Sequence, residues 1–179
     1  MRTKISVALT VLLICISSAC YASETDRWEW IMSTDTVDFY FDKETIRYGT
    51  KDEWDSNELK YKKVIDKAKI FVYIKEVYTE GYREKFIEEI KAERGWDISE
   101  FVMRMSYGIC KFEYDYLNNQ IRKTEGIYYD LDGRVLFDSK NEYASWGSII
   151  PGSNGEGMFK LIRAYSEKNN DKVAKQTLQ

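Results

Sequence analysis

The amino-acid sequence predicts an α+β fold. An antiparallel β-sheet of about five to seven strands would carry an amphipathic helix near residues 80–94 and a C-terminal helix near residues 154–166. Several segments alternate aromatic or β-branched residues with polar ones, as half-buried strands do. Two segments instead repeat apolar residues every three or four positions, which is typical of amphipathic helices. Short turn signals separate the later strands, and strands joined by short turns pair antiparallel.

The first 22 residues have the features of a cleaved secretory signal. Arg2 and Lys4 form a short positive region, and Ile5–Ile16 is an apolar run broken by two small polar residues. A run of this length followed by small residues is typical of an export signal, whereas a retained membrane anchor, the alternative, needs roughly 20 apolar residues. We therefore expect an exported protein with a signal at 1–22, one domain at 23–168 and a frayed polar tail at 169–179.

The cleavage position decides which cysteines remain. Cleavage after Ala22 removes Cys15 and Cys20 and leaves Cys110 as the only thiol. Cleavage before Cys20 leaves two cysteines, which can pair in an oxidising compartment. A third alternative is a lipid anchor at Cys20, since the preceding residues resemble a lipobox, although Ser17 stands where a branched apolar residue is expected. Cys110 is thus predicted to be a buried free thiol or the partner of Cys20.

Composition and charge narrow the class of partner. Loss of residues 1–22 removes two basic residues and no acidic one, so the net charge changes from −3 to −5. A negatively charged domain is poorly suited to binding nucleic acid or anionic lipid. The chain contains 14 Tyr, 8 Phe and 5 Trp but one Pro, a composition that favours a sheet over disorder. These observations predict one exported domain with a single core.

Two alternating segments open the predicted domain. Residues Trp28–Ser33 would place both tryptophans and Met32 on one face, and residues Val37–Asp42 would do the same with Val37 and both phenylalanines. The three residues between the segments are enough for a hairpin. The sequence therefore predicts an antiparallel pair at the start of the sheet.

A charged stretch at residues 49–67 follows a brief third segment at 45–48. More than half of its residues are charged, and a connection of this length is uncommon inside a compact domain. We interpret it as a charged insert that is either mobile or functional. Trp54 within it is a candidate ligand-binding residue. The alternative is that Trp54 folds back to cover an edge of the sheet, because tryptophans in loops usually find partial burial.

The middle of the chain predicts a central strand followed by a helix. Both alternating sets of residues 68–78 are apolar in the first half, which fits a strand covered on both faces. In residues 80–94, Tyr82, Phe86, Ile87 and Ile90 recur at helical spacing, and Gly95 ends the pattern as a C-cap residue would. The charged residues of this segment are expected to form its solvated face.

The second half predicts a meander of strands. Residues 101–116 alternate towards their end, and Asn118-Asn119 tolerate the positive φ of a hairpin turn. Residues 120–129 would form the partner strand. Asp132-Gly133 is a preferred type I′ pair, and residues 134–138 continue the sheet.

A capped helix closes the predicted domain. Ser153 and Glu156 are spaced as a capping box, which satisfies free N–H groups at a helix start. Met158, Leu161, Ile162 and Tyr165 then follow at helical spacing. We expect this apolar stripe to pack on the sheet.

No constellation of residues predicts catalysis, a cofactor or a metal. The chain has no histidine, which removes the commonest general base and the commonest metal ligand. The acidic pair Asp130 and Asp132 before Gly133 resembles the start of a calcium loop. Strand-forming residues follow it at once where further oxygen ligands are required, so a hairpin turn is the better interpretation. Carboxylate pairs of the kind that glycosidases use stay open as a weaker alternative.

Motifs along the chain resemble the surface-adhesin E-like domain family of bacterial envelope proteins. They are W-x-W-I from Trp28, an aromatic strand that ends at Asp42, and a strand AKIFVYIK from Ala68. The motifs that follow are, in order, YYDLDGRVL from Tyr128, then Trp146, Pro151-Gly152-Ser153 and Gly155-Glu156. The resemblance covers most of residues 28–163 and is strongest over 127–162. It implies an antiparallel sheet with a C-terminal helix tethered against it.

The same resemblance implies binding to host extracellular-matrix and plasma proteins at the bacterial surface, with a homodimer as one form. It also implies a disulfide between the sheet and the last helix. Cys110 fits the sheet position, but Arg163 stands at the helix position. We therefore expect that this tether is absent or that Cys110 pairs with Cys20.

These observations lead us to expect a non-enzymatic envelope binding module, located in the periplasm, cell envelope or cell surface. One alternative is a periplasmic structural or assembly accessory protein. A weaker alternative is a hydrolase that uses carboxylates.

Overall fold

The computed structural model describes residues 26–95 and 99–179, apart from the side chains of Arg94 and Ser99. Eight strands and four helices lie in these ranges. The strands are β1 (Trp28–Ser33), β2 (Val37–Asp42), β3 (Arg47–Asp55), β4 (Lys60–Tyr78), β5 (Met105–Asp115), β6 (Gln120–Asp130), β7 (Val135–Lys140) and β8 (Gly147–Ser148). The helices are α1 (Glu80–Arg94), α2 (Ser99–Arg104), α3 (Asn154–Lys168) and α4 (Asn170–Thr177). The predicted α+β class is confirmed.

All strand pairs form one antiparallel sheet, in the order β1-β2-β4-β5-β6-β7. The 19-residue strand β4 organises the sheet, since β3 pairs along its first part and β2 along its last part. Strand β5 pairs with the other edge of β4 between Lys69 and Val77. The short strand β8 pairs with the start of β6.

The main core lies on one face of the sheet, beneath α3 and α4. Ile70, Val72 and Ile74 of β4 share this face with Cys110, Phe112 and Tyr114 of β5. Met158, Phe159 and Ile162 of α3 and Val173 of α4 pack against them. A smaller cluster of Val37, Tyr78 and Met105 lies at the end of β4 that leads into α1.

Helix α1 has the predicted bounds and the predicted C-cap, and Thr79 is a further cap at its start. The Thr79 hydroxyl accepts a hydrogen bond from the Tyr82 amide, and Gly95 ends the helix with φ 68°. A left-handed residue at this position is readily supplied by glycine, which has no side chain to clash.

Helix α3 is also capped as predicted, with one shift in detail. The Ser153 hydroxyl accepts from the Glu156 amide, but the Glu156 carboxylate accepts from the Gly152 amide rather than from that of Ser153. The predicted apolar stripe is partly wrong, because Leu161 is 48% exposed and Phe159 is buried instead. Met158 and Ile162 are buried as expected.

Residues 49–67, predicted as a charged insert that is either mobile or functional, have regular structure and do not form a long loop. They belong to a β-hairpin in which β3 pairs with β4 from Thr50↔Ile65 to Asp55↔Lys60. Charged residues of opposite sign face each other across the two strands, so the hairpin needs little apolar periodicity of its own. We call residues 50–65 the arm, because neither β2 nor β5 pairs with this part of β4.

The prediction of a frayed polar tail at 169–179 is also wrong. It forms α4, whose Val173 is completely buried. The Tyr48 amide donates to the Thr177 hydroxyl at 2.8 Å, which ties the end of the chain to β3. One apolar residue in the right place is enough to dock a short polar helix.

Two local predictions for the strands need correction. A register shift between Trp30 and Met32 turns Ile31 into the core. Met32 therefore does not share a face with Trp28 and Trp30, as had been expected. The turn at Asp132-Gly133 is not type I′, because only Gly133 has a positive φ there. It is a type I turn with a left-handed glycine, and the Asp130 carboxylate accepts from the amides of Asp132 and Arg134. Asn119 has φ 53°, as its turn predicted.

None of the helices within residues 26–95 and 99–179 is long and apolar enough to cross a membrane. The predicted signal at 1–22, with Cys15 and Cys20, lies outside the described residues.

Candidate functional site

Trp54, the ligand-binding candidate from the sequence, lies near the tip of the arm. Its side chain is 51% exposed and does not cover an edge of the sheet. It contacts the ring of its cross-strand partner Tyr61 edge to face, with ring centroids 5.2 Å apart. Leu59 in the tip turn is 75% exposed and Tyr61 is 69% exposed. The arm tip thus presents three large apolar side chains to solvent.

The two faces of the arm differ in chemistry. Because side chains alternate along a strand, Trp54 and Tyr61 share a face with the pair Asp52 and Lys63. The opposite face carries the cross-strand pairs of Glu53 with Lys62 and Asp55 with Lys60. One face is therefore partly aromatic and the other is mostly charged.

Local hydrogen bonds fix the tip of the arm. The Asp55 carboxylate accepts from the amides of Asn57 and Glu58, and Lys62 lies 2.6 Å from its other oxygen. Lys62, followed by these amides, lowers the pKa of Asp55, so the carboxylate stays ionised well below neutral pH. Leu59 closes the turn with φ 52°, and its side chain is exposed.

Cys110, the other sequence candidate, is a completely buried free thiol on the core face of β5. Its sulfur lies 4.0 Å from the Tyr128 hydroxyl. Burial raises the pKa of the Cys110 thiol to about 11, and the Glu76 carboxylate acts in the same direction. A thiol that is protonated at neutral pH is a poor nucleophile. The alternative pairing with Cys20 lies outside the described residues.

Glu76 and Lys123 form an ion pair beside Cys110 that was not predicted from the sequence. Lys123 Nζ lies 3.2 Å and 3.4 Å from the two oxygens of Glu76, and the Tyr78 hydroxyl donates to Glu76 Oε2 at 2.7 Å. The ammonium also stands over the rings of Phe112 and Tyr128, at 5.6 Å and 5.3 Å. Burial lowers the pKa of Lys123, but Glu76, Cys110 and Tyr128 together outweigh burial and the pKa is raised. Lys123 is therefore a cation and not a free amine nucleophile.

A β-bulge places Lys123 on the core face. Glu125 pairs with Lys111 and Lys123 pairs with Phe112, so Thr124 is the extra residue on β6. If the same residues formed a regular strand without the bulge, Lys123 would lie on the same face as Glu125, away from the core.

Two glycines make room for the rings around the pair. A methyl group at Gly126 would lie 3.0 Å from the Tyr128 ring, and one at Gly108 would lie 2.8 Å from the Tyr78 hydroxyl oxygen. Isolated glycines inside strands often mark such close approaches. They are the one sequence signal that pointed towards this region.

The buried carboxylates elsewhere are engaged by cations or by backbone amides. Asp42 pairs with Arg27 at 2.5 Å, and Glu113 pairs with Arg122 at 2.5 Å. Asp115 accepts from the amides of the turn that follows it, and Asp130 accepts from its own turn and from Arg104. These contacts stabilise local structure. Within residues 26–95 and 99–179, no group of three His, Cys, Asp or Glu side chains could hold a metal ion.

A groove of about 510 Å³ lies between the middle of β4, the turn after β5 and the helices α3 and α4. Its tyrosines donate to helix carbonyls, Tyr48 to Ser166 and Tyr116 to Phe159. Arg163 in its wall pairs with Glu167 at 2.8 Å. The polar groups of this groove thus hold the helices in place.

Comparisons of the chain with protein-family models, curated proteins and solved structures gave no match.

Proposed function

We propose that this protein is a non-enzymatic, exported binding module of a bacterial cell envelope, and that it binds a protein ligand through the tip of the arm. The observation that carries the proposal is the exposed set of Trp54, Leu59 and Tyr61 on a hairpin that extends beyond the paired sheet. Exposed tryptophan and tyrosine are the residues that most often dominate protein interfaces. The export pattern in residues 1–22 and the resemblance to the surface-adhesin E-like family support the same proposal.

The charges of the arm favour an apolar mode of recognition. Lys51, Lys60, Lys62 and Lys63 balance Asp52, Glu53, Asp55 and Glu58, so the arm carries no net charge. The ligand is therefore a protein with an apolar pocket for an aromatic side chain, rather than a highly charged surface or a nucleic acid. Its affinity should change little between low and physiological salt.

Two buried groups that could act as nucleophiles, Cys110 and Lys123, are not activated, which favours a function in binding. The Cys110 thiol and the Lys123 ammonium are both held in their protonated forms by their surroundings. The chain then acts by contact and not by turnover.

The first test uses the purified chain against an immobilised panel of extracellular-matrix and plasma proteins. We expect saturable binding that the variant Trp54→Ala/Tyr61→Ala weakens by about tenfold or more. Tyr143→Ala is the matched control, because Tyr143 is an aromatic that is 93% exposed on a different loop. Equal losses in both variants, or no binding by the unmodified chain, would contradict the proposal.

Location and oligomeric state separate the proposal from its rivals. Protease treatment of intact cells should digest a surface protein and spare a periplasmic accessory protein. Sequencing of the mature N-terminus should show whether residues 1–22 are removed and whether Cys20 carries a lipid. If the arm tip instead packs on a second copy, light scattering should show a dimer that Trp54→Ala/Tyr61→Ala dissociates.

A further inference from the structure

A cavity of about 390 Å³ lies on the core face of the sheet, between α1, α2 and the strands β4, β6 and β7. The Glu76–Lys123 pair lies in its wall, and most of the remaining lining is aromatic or aliphatic. This volume falls within the range of small-molecule sites in proteins.

Aromatic rings from two parts of the chain line the cavity. Tyr78, Tyr82 and Phe86 form one stacked series from β4 into α1, with centroid distances of 4.6 Å and 5.9 Å. Tyr128 stacks on Phe137 at 4.2 Å, and Phe101 of α2 contacts Phe137 at 5.4 Å. Stacked rings of this kind offer flat apolar surfaces to a ligand.

Helix α1 borders this cavity instead of packing tightly on the sheet. It is fixed at its start, where the Thr79 amide and hydroxyl both donate to the Thr36 carbonyl at 3.0 Å. Among the side chains of α1 that the structure describes, none is fully buried, although Tyr82, Phe86 and Ile90 all face the cavity. An apolar stripe that is left half exposed over a cavity is what a bound apolar molecule would cover.

The charges in the wall limit the ligand to an uncharged one. Lys123 already neutralises Glu76, so an anionic ligand would place a second negative charge beside the carboxylate. A cationic ligand would meet the ammonium in the same way. Glu76 Oε2 accepts the Tyr78 hydroxyl at 2.7 Å, whereas the contact of Oε1 with Lys123 is long at 3.4 Å. Since a carboxylate oxygen has two lone pairs, Oε1 can also accept from a ligand.

We propose that this cavity binds a small uncharged molecule with an apolar, flat body and one O–H or N–H donor. The body lies against the aromatic rings, and the donor bonds to Glu76 Oε1. This site is separate from the arm tip, so either can exist without the other.

N-phenylnaphthylamine is a suitable probe, since it is uncharged, apolar and flat and has one N–H group. Anilinonaphthalenesulfonate has the same skeleton with a sulfonate added. Each dye is excited directly and titrated with the full chain. We expect saturable fluorescence with one equivalent of the uncharged dye, and affinity for the sulfonate at least about tenfold weaker, because its charge opposes Glu76.

Two substitutions on α1 test the position of the site. Ile90→Trp fills the cavity and should weaken binding of the uncharged dye by about tenfold or more. Lys91→Trp adds the same ring to an exposed position of the same helix and should leave binding unchanged. Trp54→Ala/Tyr61→Ala should also leave it unchanged, which distinguishes the cavity from the arm. Circular dichroism checks that each variant is folded.

Glu76→Gln tests the role of charge without changing the size of the cavity. It leaves Lys123 as an unpaired cation, so the ratio of sulfonate to uncharged-dye affinity should rise by about tenfold. This ratio decides the proposal even if Ile90→Trp does not fold. The proposal is overturned if the uncharged dye does not saturate, if the sulfonate binds as well to the unmodified chain, or if Glu76→Gln leaves the ratio unchanged.

Discussion

Burial of Lys123 and Cys110 on the same face of the sheet depends on a single extra residue in β6. Thr124 forms the bulge, and the side chain of the preceding residue, Lys123, faces Glu76. No local preference of Thr or Lys predicts a bulge, because the bulge is a property of how two strands align. Ser153 and Gly95, by contrast, act within one turn of their own helix, and so their caps were predictable from sequence.

Because the Cys110 thiol is buried, the stability of the folded protein should decrease as pH rises through the alkaline range. The folded state raises the pKa of Cys110 to about 11 from an ordinary value of 9.0. Because the pKa of Cys110 is higher in the folded state, the contribution of this thiol to stability is complete below its pKa in the unfolded chain. The contribution is lost as pH rises towards the pKa of the folded state. Between about pH 9 and pH 11 the unfolded chain loses the proton while the folded chain keeps it. We expect the unmodified protein to lose roughly 2 kcal/mol more over this window than Cys110→Ala.

Urea unfolding at several pH values measures this difference. The tyrosines with raised pKa values are present in both proteins, so the difference reports Cys110 together with its electrostatic coupling to Tyr128 and Lys123. Parallel curves for the two proteins would contradict the assignment.

The β-hairpin of the arm and the helix α4 were not predicted from the sequence, for related reasons. The arm is held by opposite charges on facing strands, as in Glu53↔Lys62, and apolar periodicity does not detect such pairs. Helix α4 docks through Val173 and Thr177, and its remaining residues are those of a solvated segment. In contrast, the apolar alternation of β4 and the helical spacing in α1 were enough to predict both elements.

Docking of α4 should contribute measurably to stability. Val173→Ala removes two buried carbon atoms and should lower the free energy of unfolding by about 2 kcal/mol. Lys172→Ala on the same helix removes only an exposed pair with Glu44 and should change it by less than about 0.5 kcal/mol. Urea denaturation of the three proteins measures both effects, and equal midpoints for all three would show that α4 does not pack as described.

The whole molecule is built around a core that joins the two ends of the described chain. The main cluster includes Ile31 of β1 and Val173 of α4, with β4 and β5 between them. The overall α+β arrangement was predictable because most of its strands and helices have a local sequence pattern. The cavity was not, since it arises where distant segments meet. At the arm tip, Trp54 was predicted as a candidate but Leu59 and Tyr61 were not, because the hairpin has little apolar periodicity.

A core of this kind should unfold as one unit. We expect tryptophan fluorescence and far-UV circular dichroism to give the same urea midpoint, as a two-state transition requires. Hydrogen exchange should show faster local opening in the arm than in residues 70–77, because the arm pairs with no third strand. Separate midpoints for the two probes, or equal protection of both regions, would contradict this description.

The contact between β3 and α4 also bears on the order of folding. The Tyr48 amide and the Thr177 hydroxyl are 129 positions apart in the chain. Contacts between such distant residues close a long loop and form more slowly than the turns that join neighbouring strands. We therefore expect α4 to dock on β3 after the hairpins of the sheet have formed.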